Sequence, residues 1–411
     1  MFAHLCVPLY KITDMNTTLT NNNGNVTLRI SGRLDTLTTQ SINDEIERLL
    51  KTCGEIDQLT CDVKDVEYIS SSGLRIMLGL AKRYTDFRII NASTDVYHVF
   101  EMTGFTKIMN IERVMRNIDI TGCEIIGRGG VGTVYRIDDE TIIKVFREGT
   151  TPEEVKKEIF VSKEAFILGM PTPISFDIVR VGNCYGLVYE LLNSATLSTI
   201  ISRDPDNVDR YAEMYANLFH TLHNIEIPDT NLMPSALANE RNAVEHIAKY
   251  FDTEAIDLMM HIVDNIPQSR RLLHCDLQTK NAMMQNGELM LIDMGEMSYG
   301  HPLLDLGHAR SAMYDFIGNY EATIGLPREL GEKVWLKTMD YYFKDLDAAD
   351  KAHRCDQIHV VAKLRNFTWL SLSDSFPQEV IRECQEAFKE RVLKEKDFVL
   401  DVCKTFNDWQ V

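Results

Sequence analysis

The chain of 411 residues is 45% hydrophobic and 25% charged, which is the composition of a folded protein with two or three domains. Its 43 basic and 61 acidic residues give a net charge of −18. This balance excludes a general binder of nucleic acid or of anionic membranes, because both need summed positive charge.

The start of the chain and its cysteines are typical of a cytoplasmic protein. The opening MFAHLCVPLY has no basic start and is interrupted by His4 and Pro8, so it is not a typical signal peptide. No apolar run is long enough for a membrane-spanning helix. The nine cysteines lack metal-ligand spacing, and we expect reduced thiols. We predict that residues 1–20 are an N-terminal extension, in which Met15 is an alternative start.

Short strand and helix patterns alternate over residues 21–116. Val26–Ser31 is strand-like, and Gly32 is predicted to turn the chain towards a helix in which apolar residues such as Ile42 and Ile46 recur at helical spacing. The segments DQLTCDV and FRII are further strands, and GLRIMLGLAKRY and DVYHVFEMTG are further helices. This alternation predicts an α/β domain with a mixed sheet.

Within this domain, the strand-like segment Asp62–Ile69 is followed by three serines, Ser70–Ser72. Serines at this position can simply cap the next helix by accepting hydrogen bonds from its first N–H groups. The string also resembles the signature of STAS domains, the fold of bacterial anti-sigma-factor antagonists, as does Ile30–Thr39. The resemblance implies that Ser71 is the phosphoacceptor and that an anti-sigma factor or switch kinase is the partner. Ser70 departs from the aspartate that antagonists often have.

The pattern changes near residue 118, where we predict a second domain over 120–411. CEIIGRGGVGTVYRIDDETIIKVF predicts three antiparallel strands, followed by a helix over Pro152–Leu168 and the strands SFDIVRV and GLVYELL. Beyond Tyr211 the chain is mostly helical. We therefore expect an α+β, bilobal domain with an N-lobe over 120–192 and a C-lobe over 193–411.

A glycine-rich loop joins the first two strands of this domain, with Gly127, Gly129 and Gly132 in GxGxxG spacing ahead of Val134. Such glycines can be ordinary turn residues, and a dinucleotide fingerprint needs a helix directly after them. Because VYRI continues as a strand, the pattern favours the glycine hairpin that covers ATP phosphates in kinases. Lys144, in the apolar strand IIKVF, either holds these phosphates or extends to solvent from an edge strand.

Several carboxylates follow at intervals that indicate phosphate transfer. The helix after the lysine strand offers Glu158 and Glu164 as its ion-pair partner, and we favour Glu158. The strongest cluster is HCDLQTKN, which supplies Asp276 and Asn281, followed by Asp293 after the apolar strand LMLI. One aspartate can accept the proton of an acceptor hydroxyl, while asparagine and a second aspartate can bind Mg²⁺ through oxygen.

These motifs, in this order, resemble the aminoglycoside-phosphotransferase branch of the protein-kinase-like superfamily over about residues 122–310. Gln278, where protein kinases place a lysine, and the interval of only twelve residues from Asp293 to Asp305 favour this branch over protein kinases. Cys275 departs from the family's usual glycine. The resemblance implies ATP and Mg²⁺ as cofactors. It also implies Asp276 as catalytic base, Lys144 and Glu158 as the phosphate-binding pair, Gly127, Gly129, Gly132, Val134, Glu190 and Leu192 as nucleotide contacts, Asn281 and Asp293 as metal ligands, and His274 and Asp305 as structural support.

Three functions follow from these motifs. The first is ATP-dependent phosphorylation of a small-molecule hydroxyl, with the STAS domain as regulator. The second is a signalling protein in an anti-sigma-factor-antagonist pathway, whose kinase-like domain senses nucleotide. The third is a protein serine kinase that acts on Ser71 or on another protein. The complete catalytic set and the short segment after Asp293 favour the first.

Overall fold

The structure, a computed structural model, describes residues 16–316, 318–373 and 375–409. The chain divides into two compact units, the first ending at Asn117 and the second beginning at Ile118. The expectations for the opening segment and for the alternative start Met15 lie outside the described residues. Within the described ranges, no helix is long and apolar enough to cross a membrane.

The N-terminal unit is a five-stranded sheet with three helices. Its elements are β1 (Asn16–Asn22), β2 (Asn25–Leu34), α1 (Thr39–Leu50), β3 (Gln58–Ile69), α2 (Ser71–Arg83), β4 (Phe87–Ala92), α3 (Thr94–Met102) and β5 (Asn110–Arg113). The strand order is β1-β2-β3-β4-β5, with β1 antiparallel to β2 and the other neighbours parallel. The predicted α/β fold with a mixed sheet is confirmed.

The apolar residues of this unit explain its layers. Along β2, Val26, Leu28 and Ile30 are almost fully buried at alternate positions, which is the period of a strand. Along α1, Ile42 and Ile46 are buried four residues apart, which is the period of a helix face. Because both sets belong to one hydrophobic cluster, the helices cover the sheet with a single core.

Two boundaries in this unit differ from the sequence predictions. Asn16–Asn22 pairs with β2, so the sheet begins at residue 16 and the predicted extension over 1–20 is too long. The segment NTTLTNN is a polar, exposed edge strand, in which Leu19 packs against the core, and hydrophobic patterning therefore missed it. Gly32 is not a turn residue, because it lies inside β2 at φ +89°, where the β2–β3 register shifts as in a β-bulge.

The C-terminal unit begins with an antiparallel sheet and one helix, which form its N-lobe. The elements are β6 (Glu124–Arg128), β7 (Gly132–Arg136), β8 (Thr141–Phe146), α4 (Pro152–Ile167), β9 (Ser175–Val181) and β10 (Cys184–Glu190). The strand order is β6-β7-β8-β10-β9. A capping box starts α4, since Thr151 and Glu154 satisfy each other's backbone N–H groups and Pro152 occupies the first turn.

The C-lobe is mostly helical and contains two short β-ribbons, β11–β14 and β12–β13. Its elements are α5 (Leu197–Arg203), α6 (Val208–Asn224), α7 (Ala236–Ile247), α8 (Thr253–Asn265), β11 (Arg271–Leu273), β12 (Ala282–Gln285), β13 (Glu288–Leu291), β14 (Ser298–Gly300), α9 (Pro302–Met313), α10 (Tyr320–Ile324), α11 (Arg328–Tyr342), α12 (Ala348–Thr368), α13 (Gln378–Arg391) and α14 (Lys396–Cys403). The HCDLQTKN loop connects β11 to β12, and Asp293 lies just beyond β13. The predicted bilobal α+β fold is confirmed.

Candidate active site

A buried lysine joins the two lobes of the C-terminal unit. Lys144 Nζ on β8 lies 2.8 Å from Glu158 Oε1 on α4 and 2.8 Å from Asp293 Oδ1 beyond β13. Its side chain is only 12% exposed. Burial alone would lower the pKa of Lys144, but the two carboxylates outweigh it and hold that pKa above its ordinary value. The ammonium group is therefore charged, and Glu158 rather than Glu164 is its contact on α4.

Glu158 is fixed by a neighbour that the sequence motifs did not reveal. Tyr189 on β10 donates its hydroxyl hydrogen to Glu158 Oε1 at 3.0 Å, and both side chains are buried. Burial raises the pKa of Tyr189 well above its ordinary value, so the phenol keeps its proton and remains a donor. No spacing rule connects residues on a helix and a distant strand, so only the folded sheet places them together.

Asp276 lies in the HCDLQTKN loop with its carboxylate held from two sides. Asn281 Nδ2 donates to Asp276 Oδ2 at 3.0 Å and to the backbone oxygen of Asp276 at 2.8 Å. Gln278 Nε2 donates to Asp276 Oδ1 at 3.4 Å. Burial raises the pKa of Asp276, while His274 opposes the rise and the Asp293 charge adds to it. A carboxylate with a raised pKa is suited to accept a proton from a hydroxyl group.

Asp305 on α9 holds the backbone of this loop. Its Oδ1 accepts from the Cys275 N–H at 2.7 Å and its Oδ2 accepts from the His274 N–H at 3.2 Å. Cys275 has a left-handed backbone at φ +63°, a conformation that favours glycine. The fully buried Asp305 also contacts His223 Nε2 at 3.2 Å, and His223 Nδ1 lies 2.7 Å from the Tyr342 hydroxyl. Burial would raise the pKa of Asp305, but its contact with His223, the nearby His274 and the Cys275 N–H together outweigh burial and lower that pKa.

A second carboxylate–histidine pair, which the sequence motifs also missed, supports the same loop. His308 on α9 lies with Nδ1 2.9 Å from the Cys275 backbone oxygen and with Nε2 2.7 Å from Glu240 Oε1 on α7. Burial opposes ionisation of Glu240, yet His308 and Arg365 outweigh it and lower the pKa of Glu240 to about 2. Glu240 is therefore an ionised group in the core. Nothing in the local sequence of α7 or α9 relates these residues to the HCDLQTKN loop.

The glycine loop connects β6 to β7 beside Lys144. Gly127 pairs with Val134, and Val134 in turn pairs with Lys144 across β7 and β8. The Gly129 N–H donates to the Gly132 oxygen at 2.9 Å, which closes the turn. These contacts place Gly127 and Lys144 at the same level of the sheet, with Val134 between them.

The predicted nucleotide hinge follows β10. The Glu190 N–H donates to Ile174 O at 2.9 Å, and the Leu191 N–H donates to Glu140 O at 2.7 Å. Leu192 is buried, and its backbone N–H makes no hydrogen bond within the described part of the chain. A backbone donor without a protein partner is able to donate to a ring nitrogen of a nucleotide base.

Asn281 and Asp293 fit the oxygen donors that Mg²⁺ requires. Asp293 uses Oδ1 for Lys144 and its side chain is 46% exposed, so the carboxylate is accessible. The amide nitrogen of Asn281 faces Asp276, which directs the amide oxygen elsewhere. The described residues contain no ready group of three metal-binding side chains. Mg²⁺ commonly takes one or two protein ligands and completes its shell with phosphates and water.

The fold of the C-terminal unit is that of kinase-like phosphotransferases. Two family models match the chain: the STAS domain over residues 16–120, and the phosphotransferase enzyme family over residues 123–326. The chain therefore carries an N-terminal STAS domain followed by a phosphotransferase domain of that family. Both predicted resemblances are confirmed, and the C-terminal unit is a phosphotransferase domain with a kinase-like fold.

Solved structures resemble parts of the chain at low identity. A choline/ethanolamine kinase family protein from Mesorhizobium loti is 15% identical over 69% of this chain and 92% of its own, with a TM-score of 0.46. An aminoglycoside-3′-phosphotransferase of type VIII is 18% identical over 58% of this chain and 93% of its own, with a TM-score of 0.40. An anti-sigma factor antagonist from Mycobacterium paratuberculosis is 19% identical over 25% of this chain and 87% of its own, with a TM-score of 0.23. No curated protein matches the chain.

Proposed function

We propose that this protein transfers the γ-phosphate of ATP to a hydroxyl group of a small molecule, with the STAS domain as a regulator. The observation that carries the proposal is the placement of Lys144 against Glu158 and Asp293. A second carboxylate, Asp276, lies next to Asn281 on the adjoining loop. Phosphoryl transfer needs this combination of a fixed cation, oxygen ligands and a proton acceptor.

Each part of the site has one task in this proposal. The backbone of the glycine hairpin covers the phosphates, and the Leu192 N–H contacts the base. Lys144, held by Glu158, binds the α- and β-phosphates. Asn281 and Asp293 would hold Mg²⁺, which neutralises phosphate charge when bound. Lys144 Nζ also contacts Asp293 Oδ1, so bound phosphates would share the ammonium group with this carboxylate.

The chemical step needs one proton acceptor. Asp276 accepts the proton of the acceptor hydroxyl while the new oxygen–phosphorus bond forms. The bond between the γ-phosphorus and the β,γ-bridging oxygen breaks, and ADP leaves with that oxygen. Asp276 then returns its proton to solvent. The raised pKa of Asp276 makes it a stronger base than an exposed aspartate.

Turnover of nucleotide tests this assignment. In MgATP with a panel of hydroxyl compounds, we expect Asp276→Asn to lower turnover by roughly 10²- to 10⁴-fold, the range typical of a lost general base. Asp293→Ala should abolish Mg²⁺-dependent turnover. Asp356→Asn, at an exposed position on α12, is the matched control and should leave turnover unchanged. Wild-type turnover by Asp276→Asn in a folded protein would contradict the proposal.

A second proposal concerns the STAS domain, where we propose that Ser71 accepts a phosphate that controls binding of an anti-sigma factor or switch kinase. Ser70, not Ser71, caps α2, since Ser70 Oγ accepts from the Gly73 N–H at 3.5 Å. Ser71 is consequently exposed at the first position of the helix. A phosphate here would add about −1.5 to −2 charges at a favourable helix end. We expect Ser71→Glu to weaken binding of a purified anti-sigma switch kinase, and equal affinity would contradict the proposal.

A further inference from the structure

A cavity of about 500 Å³ opens beside Asp276, on the C-lobe side of the catalytic loop. Its volume fits a molecule of one or two rings. Phe316, Trp369 and Val380 give it an apolar wall, and Asp276 and Gln278 lie at its catalytic end. If the proposed phosphotransfer is correct, this cavity is where the acceptor hydroxyl approaches its base.

Arg365 brings an incompletely paired cation into this cavity. Arg365 lines the cavity from α12, and its side chain is 26% exposed. Its one ion-pair contact among the described residues is Glu240 Oε1 at 3.5 Å, and His308 already holds that oxygen at 2.7 Å. Among the described residues, Arg365 makes this single contact and no hydrogen bond. Apart from this shared contact with Glu240, the five N–H donors of the guanidinium have no acceptor among the described residues.

The other polar groups of the lining restrict the acceptor further. Gln278 Oε1 is buried without a hydrogen-bond partner, so it can accept from an O–H or N–H group of a ligand. The lining contains two carboxylates, the catalytic Asp276 and the exposed Glu383. A polycationic acceptor would consequently meet Arg365 with few carboxylates to neutralise it, while an oxyanion would complete the guanidinium's hydrogen bonding.

We infer that the acceptor carries an oxyanion group, a carboxylate or a phosphate, that Arg365 binds while the hydroxyl faces Asp276. The ring or carbon skeleton between the two groups packs against Trp369 and Phe316. This inference rests on the proposed phosphotransfer and names its substrate class. Arg365 is then the residue that determines specificity.

Cys384 provides a readout of binding that does not depend on turnover. Its thiol is half-buried and lines the same cavity. Burial raises the pKa of Cys384, so iodoacetamide labelling is done at mildly alkaline pH, where the thiolate is more abundant. Cys123 is also half-buried but lies ahead of β6, outside the lining, and its labelling is the internal control. Mass spectrometry of the digested chain measures both sites.

The probes are four compounds with one skeleton: para-(hydroxymethyl)benzoate, para-(hydroxymethyl)phenylphosphonate, the carboxamide and the aminomethyl analogue. We expect the benzoate or the phosphonate to protect Cys384 at a concentration about tenfold or more below that of the carboxamide, as a charge-assisted hydrogen bond predicts. Whichever of these two compounds protects Cys384 at the lower concentration identifies the oxyanion as a carboxylate or a phosphate. Arg365→Gln should remove the preference, while Arg382→Gln, at an exposed position on α13, should keep it.

Two results would overturn the inference. The first is the absence of any preference for the oxyanions: the carboxamide or the aminomethyl analogue protects Cys384 at the same or a lower concentration than both oxyanions do, or none of the four compounds protects it. The other is an oxyanion preference that survives in Arg365→Gln. Turnover of MgATP by the wild-type chain and by Asp276→Asn is measured in parallel. A failure of the proposed phosphotransfer appears there as absent Asp276-dependent turnover, independently of Cys384 labelling.

Discussion

At the scale of single residues, the burial of Asp276 sets the pH at which the proposed base works. Its pKa is raised from the ordinary value of 3.8 because burial disfavours the ionised carboxylate. Protonated Asp276 cannot accept a proton, so activity falls as pH drops through the raised pKa. We predict that the acid limb of the pH profile of kcat/KM lies above 3.8. An acid limb at or below that value would contradict Asp276 as the base.

The burial of Asp276 also predicts that Asp276→Asn, which lowers activity, does not lower the stability of the fold. A carboxyl group whose folded-state pKa lies above its unfolded value stabilises the fold at low pH, and this contribution is lost as pH rises through the folded pKa. Removing the ionised group should then relieve a cost at neutral pH. We predict that Asp276→Asn has a Tm at neutral pH equal to or above that of the wild type. Thermal unfolding of this variant and of the Asp356→Asn control checks it, and a clearly lower Tm in Asp276→Asn alone would contradict the argument.

Sequence motifs could identify the site residues that are close together in the chain, and those whose motifs follow one another in a fixed order. Asp276 and Asn281 are five residues apart, and the structure brings them into hydrogen-bond contact. Tyr189 and Glu240 were not predicted, because they lie on other elements and only the folded chain brings them to Glu158 and His308. Their types, a tyrosine in an apolar strand and a glutamate on a helix, carry no local signal of a buried contact.

At the scale of elements, the glycine hairpin depends unequally on its glycines. A Cβ added at Gly132 would collide with the Val145 backbone carbonyl, whereas a Cβ at Gly130 meets no atom within 4 Å. We predict that Gly132→Ala separates β7 from β8, costs about 1–3 kcal/mol of stability and raises the KM for ATP. Gly130→Ala, the matched control, should leave both unchanged. Chemical denaturation and steady-state kinetics measure the two quantities, and equal behaviour of the two variants would contradict the steric argument.

At the start of helix α2 of the STAS domain, one serine caps the helix and the next serine is the proposed phosphoacceptor. Because Ser70 Oγ caps the helix, Ser70→Ala should destabilise the N-terminal unit by about 1 kcal/mol. Ser71→Ala, at the exposed neighbouring position, should change stability by less than about 0.5 kcal/mol. Denaturant unfolding of both variants measures the difference. Equal destabilisation would show that Ser71 shares the capping role, and its exposure would then no longer support the proposed phosphoacceptor.

At the scale of the whole molecule, the sequence predicted the fold of both units because apolar periodicity is strong in their buried elements. The main core of each unit is a separate cluster: the sheet and helices of the N-terminal unit form one, and mainly the C-lobe helices form the other. The edge strand β1 could not be found in this way, since an exposed strand has no apolar face. The buried networks around Asp305 and Glu240 were equally out of reach, because tertiary packing rather than spacing assembles them.

The most direct test of the account is the intact mass of the full chain after incubation with MgATP, with nucleotide turnover followed in the same samples. Wild type, Ser71→Ala and Asp276→Asn are compared. We predict an unchanged mass in all three proteins, together with nucleotide turnover that requires Asp276, as expected for an enzyme whose acceptor is a small molecule. A single added phosphate that disappears in both variants would contradict the account and make the protein a serine kinase that acts on its own STAS domain.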